Sequence, residues 1–423
     1  MALNQRREDQ LTDEKVPPEV REEYEELLLG SVDVLPEREL LALLARRRNE
    51  ERPLRVKLGV DPTAPDIHLG HTVVLRKLAQ FQAYGHTAVL IIGDYTGKVG
   101  DPSGRSKTRP RLAEDELSRN ALTYVEQAAK VLDMQKVELR HNSDWLARLT
   151  MEEVLRLTST TTVARMLERD DFSKRYAGNE PISMLEFMYP LLQGYDSVAV
   201  EADIELGGTD QKFNLLMGRT IMETYGLPPQ CVLTVPLLVG TDGEQKMSKS
   251  YDNYIGVNEE PRQMFGKVMS IPDPLMVTYW TLLTGASRSE VETIERRLQS
   301  EEYHPAEAKR DLAQLITSLY HSEAAARAAR DEFDRVFKQK DEPNDMPTVD
   351  VPAEAVQDGC VWMPRLLTTL GLAASNGEAR RLIQQGGVRL RGEVLTEADS
   401  EVMLESLGGA VLQVGKRKFV KLG

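Results

Sequence analysis

The sequence predicts an α/β fold organised around a parallel β-sheet, and three observations predict it. A short apolar strand, LRVKLGV, starts at residue 54; Val74, Leu78 and Phe81 then recur at helical spacing within 70–84; TAVLIIGD at 87–94 is a continuous apolar run. Helical spacing buries one face, and an uninterrupted apolar run is what a strand covered on both faces requires. Strand, helix and strand within about forty residues make a right-handed βαβ crossover of a parallel sheet.

The remaining elements follow in order. Residues 1–50 are charged and leucine-rich, and Leu40, Leu41, Leu43 and Leu44 fall on one face of a packing helix. After the first strand comes DPTAPD, a proline-punctuated loop, and Gly85 ends the helix behind it. KVELRHN and CVLTVPLLVG are read as further strands of the same sheet, so ligands are expected at the carboxyl ends of the strands. From about 260 to 335 the chain turns helical, with RSEVETIERRLQS and EAAARAARDEFDRVF as its clearest helices. KDEPNDMPTVDVP then has linker composition. The expected organisation is an N-terminal helical segment (1–50), a sheet domain (51–242) with an insertion near 120–180, a loop and helical domain (243–335), a linker (336–358) and a small domain (359–423).

A chain of 423 residues exceeds one ordinary core, and 41% hydrophobic with 28% charged residues describes a globular protein. No apolar run approaches the roughly 20 residues that span a bilayer, and MALNQRREDQLTDEK lacks the apolar core of a signal peptide. A cytoplasmic protein without a membrane partner is expected. Cys231 and Cys360 are too few for a disulfide framework or a cysteine zinc site. The net charge of -14 argues against a uniform nucleic-acid-binding coat, while leaving room for a basic C-terminal face.

Two of the six histidines stand three apart in PDIHLGH, where a helix begins. Metal binding, phosphate binding and packing all fit that spacing. A zinc site of HExxH type would need a general base between them, but Leu69 and Gly70 intervene. Two further glycine-rich loops follow predicted strands, GDYTGKVGDPSGRSKTR (93–109) and ELGGTDQKFN (205–214). Glycines there allow close approach of a ligand, and amides at a helix start favour an anion. None fits GxGxxG or GxxxxGK[ST]. GEQKMSKSYDN (243–253) sets Lys246 and Lys249 on a polar loop, where two ammonium groups could close over a polyphosphate.

Together, HLGH and KMSKS resemble the two signature motifs of class I aminoacyl-tRNA synthetases. GVDPT, GDPSG, YPLLQGYD (189–196) and GGTDQ (207–211) narrow the resemblance to tyrosyl-tRNA synthetases of bacterial type, from about residue 30 to the C-terminus. The resemblance implies a Rossmann-type catalytic sheet that activates L-tyrosine with ATP, releases pyrophosphate and transfers tyrosine to the 3′ end of tRNA(Tyr). It places Thr63 and His68 on the γ-phosphate, His71 near the ribose and phosphates, and Lys246, Lys249 and Ser250 over the pyrophosphate. Arg105 and Arg109 occupy positions of assisting basic residues, and Gly70 leaves room for the base. Gly59, Asp61, Gly208 and Asp210 belong to the ATP site, with Asp210 at the ribose. Tyr189, Gln193 and Asp101 match the residues that hold the α-amino group, Gln211 a further tyrosine contact, and Asp196 the acid that meets the phenol hydroxyl. The spacing of Tyr189, Gln193 and Asp196 puts them on one helix face. Mg2+ is expected with ATP rather than in a dedicated carboxylate cage, and a homodimer is expected through the insertion.

One position departs from the pattern: Lys57 stands where many tyrosyl enzymes carry a tyrosine that also binds the hydroxyl. Asp196 and its neighbours are therefore expected to carry more of that recognition. A site built to bond the hydroxyl rejects phenylalanine because its polar group is left unpaired, and tyrosyl-tRNA synthetase is the standing example.

In the C-terminal stretch, Ser375 and Glu378 form a capping box that starts a helix exposing Arg380 and Arg381. A Gly-Gly break precedes VRLRGEVL, read as one alternating strand, and the chain ends in KRKFVKLG. The segment resembles the S-four-like RNA-binding domain of a small-subunit ribosomal protein. RNA binding is expected at Arg380, Arg381, Arg389, Lys416 and Lys418, and the helical region before the linker is expected to read the anticodon. The alternatives are a tryptophanyl-tRNA synthetase, a nucleotidyltransferase sharing the HxGH loop, and a non-catalytic RNA-binding scaffold.

Overall fold

Apolar runs as long as VLII leave no polar face, so the strands that carry them must be covered on both sides by helices. The computed structural model, which describes residues 16–63, 65–102, 114–337, 346–415 and 418–423, bears this out. The chain divides into two compact units, one through Ala326 and one from Arg327.

In the first unit, α1 (Pro18–Leu28), β1 (Asp33–Leu35) and α2 (Glu39–Glu50) precede β2 (Arg55–Val60), α3 (Leu69–Ala83) and β3 (Thr87–Ile92). Next come α4 (Thr96–Val99), α5 (Glu114–Ala128), β4 (Val137–His141) and the short helices α6 (Ser143–Leu146), α7 (Met151–Thr158), α8 (Val163–Met166) and α9 (Asp170–Ala177). The sheet is completed through α10 (Met184–Ala199), β5 (Ile204–Gly208), α11 (Lys212–Thr224) and β6 (Cys231–Val235). Helices α12 (Pro261–Met269), α13 (Met276–Leu283), α14 (Arg288–Gln299), α15 (Pro305–Tyr320) and α16 (Glu323–Phe337) follow, the last crossing into the second unit.

The six strands lie in the order β1-β6-β5-β2-β3-β4. All pairs are parallel except β1 with β6, so the N-terminal segment expected to be only helical also supplies an antiparallel edge strand. From β2 the chain moves outward to β3 and β4, then returns to the other side of β2 as β5 and β6. That reversal opens a crevice at the carboxyl ends of β2 and β5, where ligands bind in open α/β sheets. Val89, Leu90, Ile91 and Ile92 are fully buried. Ser183 caps α10 by accepting from the Leu185 amide, while Glu186 returns to the Ser183 amide. Gly194 lets α10 approach α11: a Cβ there would stand 2.5 Å from Ile221 Cδ1 and 3.1 Å from Gly218 Cα.

The second unit contains β7 (Thr348–Val349), β8 (Val356–Gln357), β9 (Cys360–Trp362), α17 (Met363–Thr369), α18 (Asn376–Gln384), β10 (Val388–Leu390), β11 (Glu393–Val394), β12 (Glu401–Met403), β13 (Val411–Val414) and β14 (Lys418–Leu422). Its sheets run β11-β10-β13-β14-β7 and β12-β9-β8 around a core that includes Leu366, Leu367, Ile383 and Leu412. Three expectations change. Residues 348–349 and 356–357, expected within the linker, are strands of this unit. VRLRGEVL is a hairpin rather than one strand, because Arg391 (φ 53) and Gly392 (φ 82) both adopt the left-handed conformation of a two-residue turn. Ser375 caps α18 as expected, but the Glu378 carboxylate reaches the Ala374 amide rather than that of Ser375.

Candidate functional site

The crevice widens into a cavity of about 700 Å³, within the range of ligand sites. Its floor is the ends of β2 and β5, its sides are α3 and α10, and the segment 246–251 closes one edge. It brings together Gly59, Asp61, Thr63, His68, Gly70 and His71 from the first motif region. Asp101, Tyr189, Gln193 and Asp196 join them, as do Gly208, Asp210, Gln211, Lys246 and Ser250.

The first motif meets the segment that follows the second, residues 255–257, through backbone bonds. The Leu69 amide donates to Ile255 O at 2.9 Å, and the Val257 amide to Ile67 O at 3.0 Å. Lys249 Nζ lies 3.1 Å from Asp66 Oδ2 and Lys246 Nζ 3.4 Å from Asp210 Oδ2. Buried Asn253 organises the loop between them. Its Oδ1 accepts from the Ser248 amide at 2.8 Å, and its Nδ2 donates to Asp242 and to the Gln245 and Lys246 carbonyls. Gly240 is required beside it, since a Cβ would come within 2.4 Å of the Asn253 carboxamide.

At the start of α3 the His68 amide donates to His71 Nδ1 at 3.2 Å, and the rings stand 3.9 Å apart. Burial pushes His68 down to about 2 and His71 down to about 4, with the Lys249 ammonium adding to both. Both imidazoles are therefore neutral at physiological pH. His68 Nδ1 is buried without a hydrogen-bond partner among the described residues. Gly70 is needed for the imidazole itself, because a Cβ would stand 3.0 Å from the His68 ring.

The opposite end is acidic. Asp61 accepts from Thr96 Oγ1 at 2.7 Å and Tyr189 Oη at 2.9 Å. Burial, reinforced by Asp101 and Asp196, pushes its carboxyl up to about 7 against those two bonds. Gly93 leaves space for it, since a Cβ would lie 2.0 Å from Asp61 Oδ1. Gln211 Nε2 donates to Asp101 at 2.7 Å, and Asn214 Nδ2 donates to Gln193 Oε1 and Gln211 Oε1. Arg169 ties this network together, reaching Asn214 at 2.9 Å and Asp101 at 3.4 Å.

At the deep end Asp196 Oδ1 accepts from Trp145 Nε1 at 2.8 Å and Oδ2 from Asn142 Nδ2 at 3.3 Å. Burial pushes its carboxyl up to about 6, opposed by Lys57 and these two donors. Lys57 itself does not line the cavity. It is fully buried beneath α10, 2.8 Å from Glu205.

Residues absent from the sequence-based site are Asn142, Trp145, Arg169, Asn214 and Asn253. Asn142 and Trp145 follow directly on β4, so the rule that ligands gather at strand carboxyl ends was the available signal. Lys249 does not itself line the cavity; it pairs with Asp66 and stands in the chain between Ser248 and Ser250, which do line it, while Arg105 and Arg109 lie outside the described residues.

In the second unit Arg380 and Arg381 are exposed on α18; Arg380 donates to Asp399 at 2.7 Å and covers the Trp362 ring. Exposed Arg389 donates to Gly392 O at 3.2 Å, and Lys418 approaches Leu372 O at 3.4 Å. Lys416 lies outside the described residues. Among the described residues no helix is long and apolar enough to cross a membrane.

Residues 48–338 match the family model described as tRNA synthetases class I (W and Y). The chain is 52% identical over 408 residues to a tyrosine-tRNA ligase of Moorella thermoacetica, covering 96% of this chain and 97% of the relative. It is 50% identical over 392 residues to that of Thermotoga maritima, covering 92% and 94%. Solved structures with the same fold include a C-terminally truncated mitochondrial tyrosyl-tRNA synthetase of Aspergillus nidulans (TM-score 0.62, 24% identity, 77% of this chain and 96% of that one). Another is the Archaeoglobus fulgidus enzyme complexed with L-tyrosine (TM-score 0.60, 23% identity, 74% and 99%).

Proposed function

From the premise that the chain belongs to the class I tRNA synthetases of the tryptophan and tyrosine type and acts as a tyrosine-tRNA ligase, we propose how its cavity divides the work. The observation that carries the division is the placement of charge: Asp61, Asp101 and Asp196 line one end of the cavity, while at the other Lys246 lines it, paired with Asp210, and Lys249 pairs with Asp66 beside it. Tyrosine lies toward the acids and the phosphates of ATP toward the lysines.

The tyrosine ammonium sits among Asp101, Tyr189, Gln193 and Gln211; Asp61, read from the sequence as an ATP-site residue, is proposed instead to stand behind them, where it accepts from Tyr189. Its ring extends toward Asp196, whose carboxylate accepts a hydrogen bond from the phenol hydroxyl. The ATP ribose meets Asp210 beside Gly208, and Gly59 and Gly70 let the nucleotide approach the backbone. Mg2+ arrives with ATP as part of the substrate. The substrate carboxylate is ionised at neutral pH, so its in-line attack on the α-phosphorus needs no general base. Catalysis then consists of positioning and of stabilising the leaving pyrophosphate. Thr63 and neutral His68 and His71 donate hydrogen bonds to the phosphates, while Lys246, Lys249 and Ser250 close over the pyrophosphate, assisted by Arg105 and Arg109. In the second step a ribose hydroxyl at the 3′ end of tRNA(Tyr) attacks the activated carbonyl and expels AMP.

For the rest of the chain the reading is coarser. Helices α12–α16 are assigned to the anticodon end of the tRNA. The second unit is assigned as an S-four-like RNA-binding module, supported by the exposed Arg380, Arg381 and Arg389 in an otherwise acidic protein. A homodimer through the insertion is supported by Leu122, Met151, Leu155, Val163 and Tyr176, large apolar side chains exposed on neighbouring segments. The proposed location is the cytoplasm, where tRNA and ATP are drawn upon.

The test is ATP-pyrophosphate exchange with each of the twenty amino acids, repeated on Asp196→Ala. Exchange with tyrosine alone, weakened in the variant, supports the division. Tyrosine exchange unaffected in the variant overturns the placement of the ring.

A further inference from the structure

Beneath the tyrosine end lies an ion pair that no substrate can touch. Lys57 on β2 and Glu205 on β5 are direct neighbours in the parallel ladder and share the sheet face covered by α10. Their side chains are 0% and 1% exposed, with Nζ and Oε1 2.8 Å apart. Each hydrogen-bonding group of the pair is occupied. Lys57 Nζ also donates to Ser197 Oγ at 2.8 Å and to Gln193 O at 2.9 Å. Glu205 Oε2 accepts from Ser197 Oγ at 2.9 Å and Gln230 Nε2 at 2.7 Å. Gly218 on α11 makes the space, since a Cβ there would lie 2.5 Å from Gln230 Nε2.

A buried ion pair is a poor way to gain stability, because desolvation offsets the attraction and apolar residues of like volume serve as well or better. Its value lies in where it holds things. All the α10 groups that Lys57 grips, Gln193 O and Ser197 Oγ, flank Asp196 on the same helical turns. Lys57 thereby ties the helix that carries Tyr189, Gln193 and Asp196 to the central strand. Its ammonium is also the cation that acts on Asp196; the other titratable groups facing that carboxylate are Glu205, Asp61 and Tyr189.

We propose that Lys57, clamped by Glu205 and Ser197, is a positioning residue for specificity: it fixes the Asp196 carboxylate and supplies the positive charge that keeps it a strong acceptor for the tyrosine hydroxyl. This role rests on the assignment of Asp196 to that hydroxyl. Tyrosine depends on the acceptor and phenylalanine does not, so the ratio of their activation efficiencies reports on Lys57 separately from general damage to the fold.

The experiment compares kcat/KM for tyrosine and phenylalanine in pyrophosphate exchange for the wild type, Lys57→Met/Glu205→Gln, Ser197→Ala and Asp196→Asn. The double variant removes both buried charges together, and thermal unfolding checks that it folds. Its tyrosine/phenylalanine ratio is expected to fall roughly tenfold or more, the scale of a weakened hydrogen bond to a charged group, chiefly through tyrosine KM. The acid limb of the tyrosine profile moves to higher pH relative to the phenylalanine profile, because the Lys57 charge, which favours ionised Asp196, outweighs the opposing Glu205 charge. Ser197→Ala, which keeps both charges and loses one acceptor for Lys57 and one donor to Glu205, shows a smaller drop in the same direction and decides the matter if the double variant does not fold. An unchanged ratio in a folded double variant, or in Ser197→Ala where only that variant folds, beside a lowered ratio in Asp196→Asn, overturns the role of the pair alone. An unchanged ratio in Asp196→Asn overturns the assignment of Asp196 and the role of Lys57 with it.

Discussion

The two ends of the cavity are built on opposite principles. At the acidic end Asp61, Asp101 and Asp196 each hold at least two hydrogen-bond donors, and the supporting Lys57 is sealed from solvent. At the lysine end, Lys246 is 43% and Lys249 33% exposed, and each meets a single carboxylate in a solvent-facing pair, at 3.4 and 3.1 Å. A partner held that loosely contributes little to stability and is easily exchanged. The acidic end is thus set before substrate arrives, as selection of a side chain demands. On the proposed reading the lysine end keeps cations in reserve for charge that develops only as pyrophosphate leaves, and interactions made only in the transition state raise kcat.

The largest expected effect follows from that contrast. Lys249→Ala should lower kcat for pyrophosphate exchange by about 10²–10³-fold, on the scale of removing one preorganised donor to a developing charge. Tyrosine KM should stay nearly unchanged, as steady-state kinetics would reveal; a matching rise in tyrosine KM would erase the distinction between the ends. Asp101→Asn should do the reverse, raising tyrosine KM by roughly 10- to 100-fold through loss of a charge-assisted bond while sparing ATP KM.

Asn253→Ala sharpens the comparison from the side of the loop. Asn253 touches no proposed substrate atom, yet four of its bonds shape the turn that presents Lys246 and Lys249. A drop in kcat of about tenfold is expected from a misplaced donor, with tyrosine KM unchanged and ATP KM the parameter to watch. A kcat equal to wild type would mean that the loop needs no such organiser.

How much of this was legible in the sequence differs between the same two ends. The crossover from β2 to β3 was readable because VLII admits no polar face, and the helix from Leu69 because its apolar spacing is regular. HLGH and KMSKS announced the lysine end, since a short run of residues supplies its donors. The acidic end was only half readable. Tyr189, Gln193 and Asp196 share one helix face, but Asn142, Trp145 and Arg169 reach it from segments whose approach depends on tertiary packing. Lys57 was visible as a departure and not as a partner of Glu205, because parallel register between β2 and β5 cannot be read from either strand alone. The hairpin at Arg391-Gly392 was missed for a local reason: a non-glycine residue with positive φ leaves only a weak sequence signal.

The smallest and most discriminating effect is a pH response confined to one end. Burial lifts Asp61 from its ordinary 3.8 to about 7, so at neutrality about half of the ligand-free enzyme holds a proton there, and more as pH falls. A substrate ammonium favours the ionised form, and tyrosine binding must expel that proton. Tyrosine KM should therefore rise as pH falls below about 7, several-fold by pH 6 and at most tenfold per unit, whereas ATP KM should show no step in that interval because His68 and His71 are already neutral. For stability the sign is set by the raised value: the contribution of Asp61 is full below about 4 and lost as pH climbs through about 7. Asp61→Asn should then raise the thermal midpoint of the ligand-free enzyme at pH 8 and leave it unmoved at pH 4, and it should weaken tyrosine binding at pH 8 far more than at pH 4, where the wild-type carboxyl is already neutral. A titration step shared by tyrosine and ATP would mean that the two ends are electrostatically one site, and the separation of selection from catalysis along the cavity would fall.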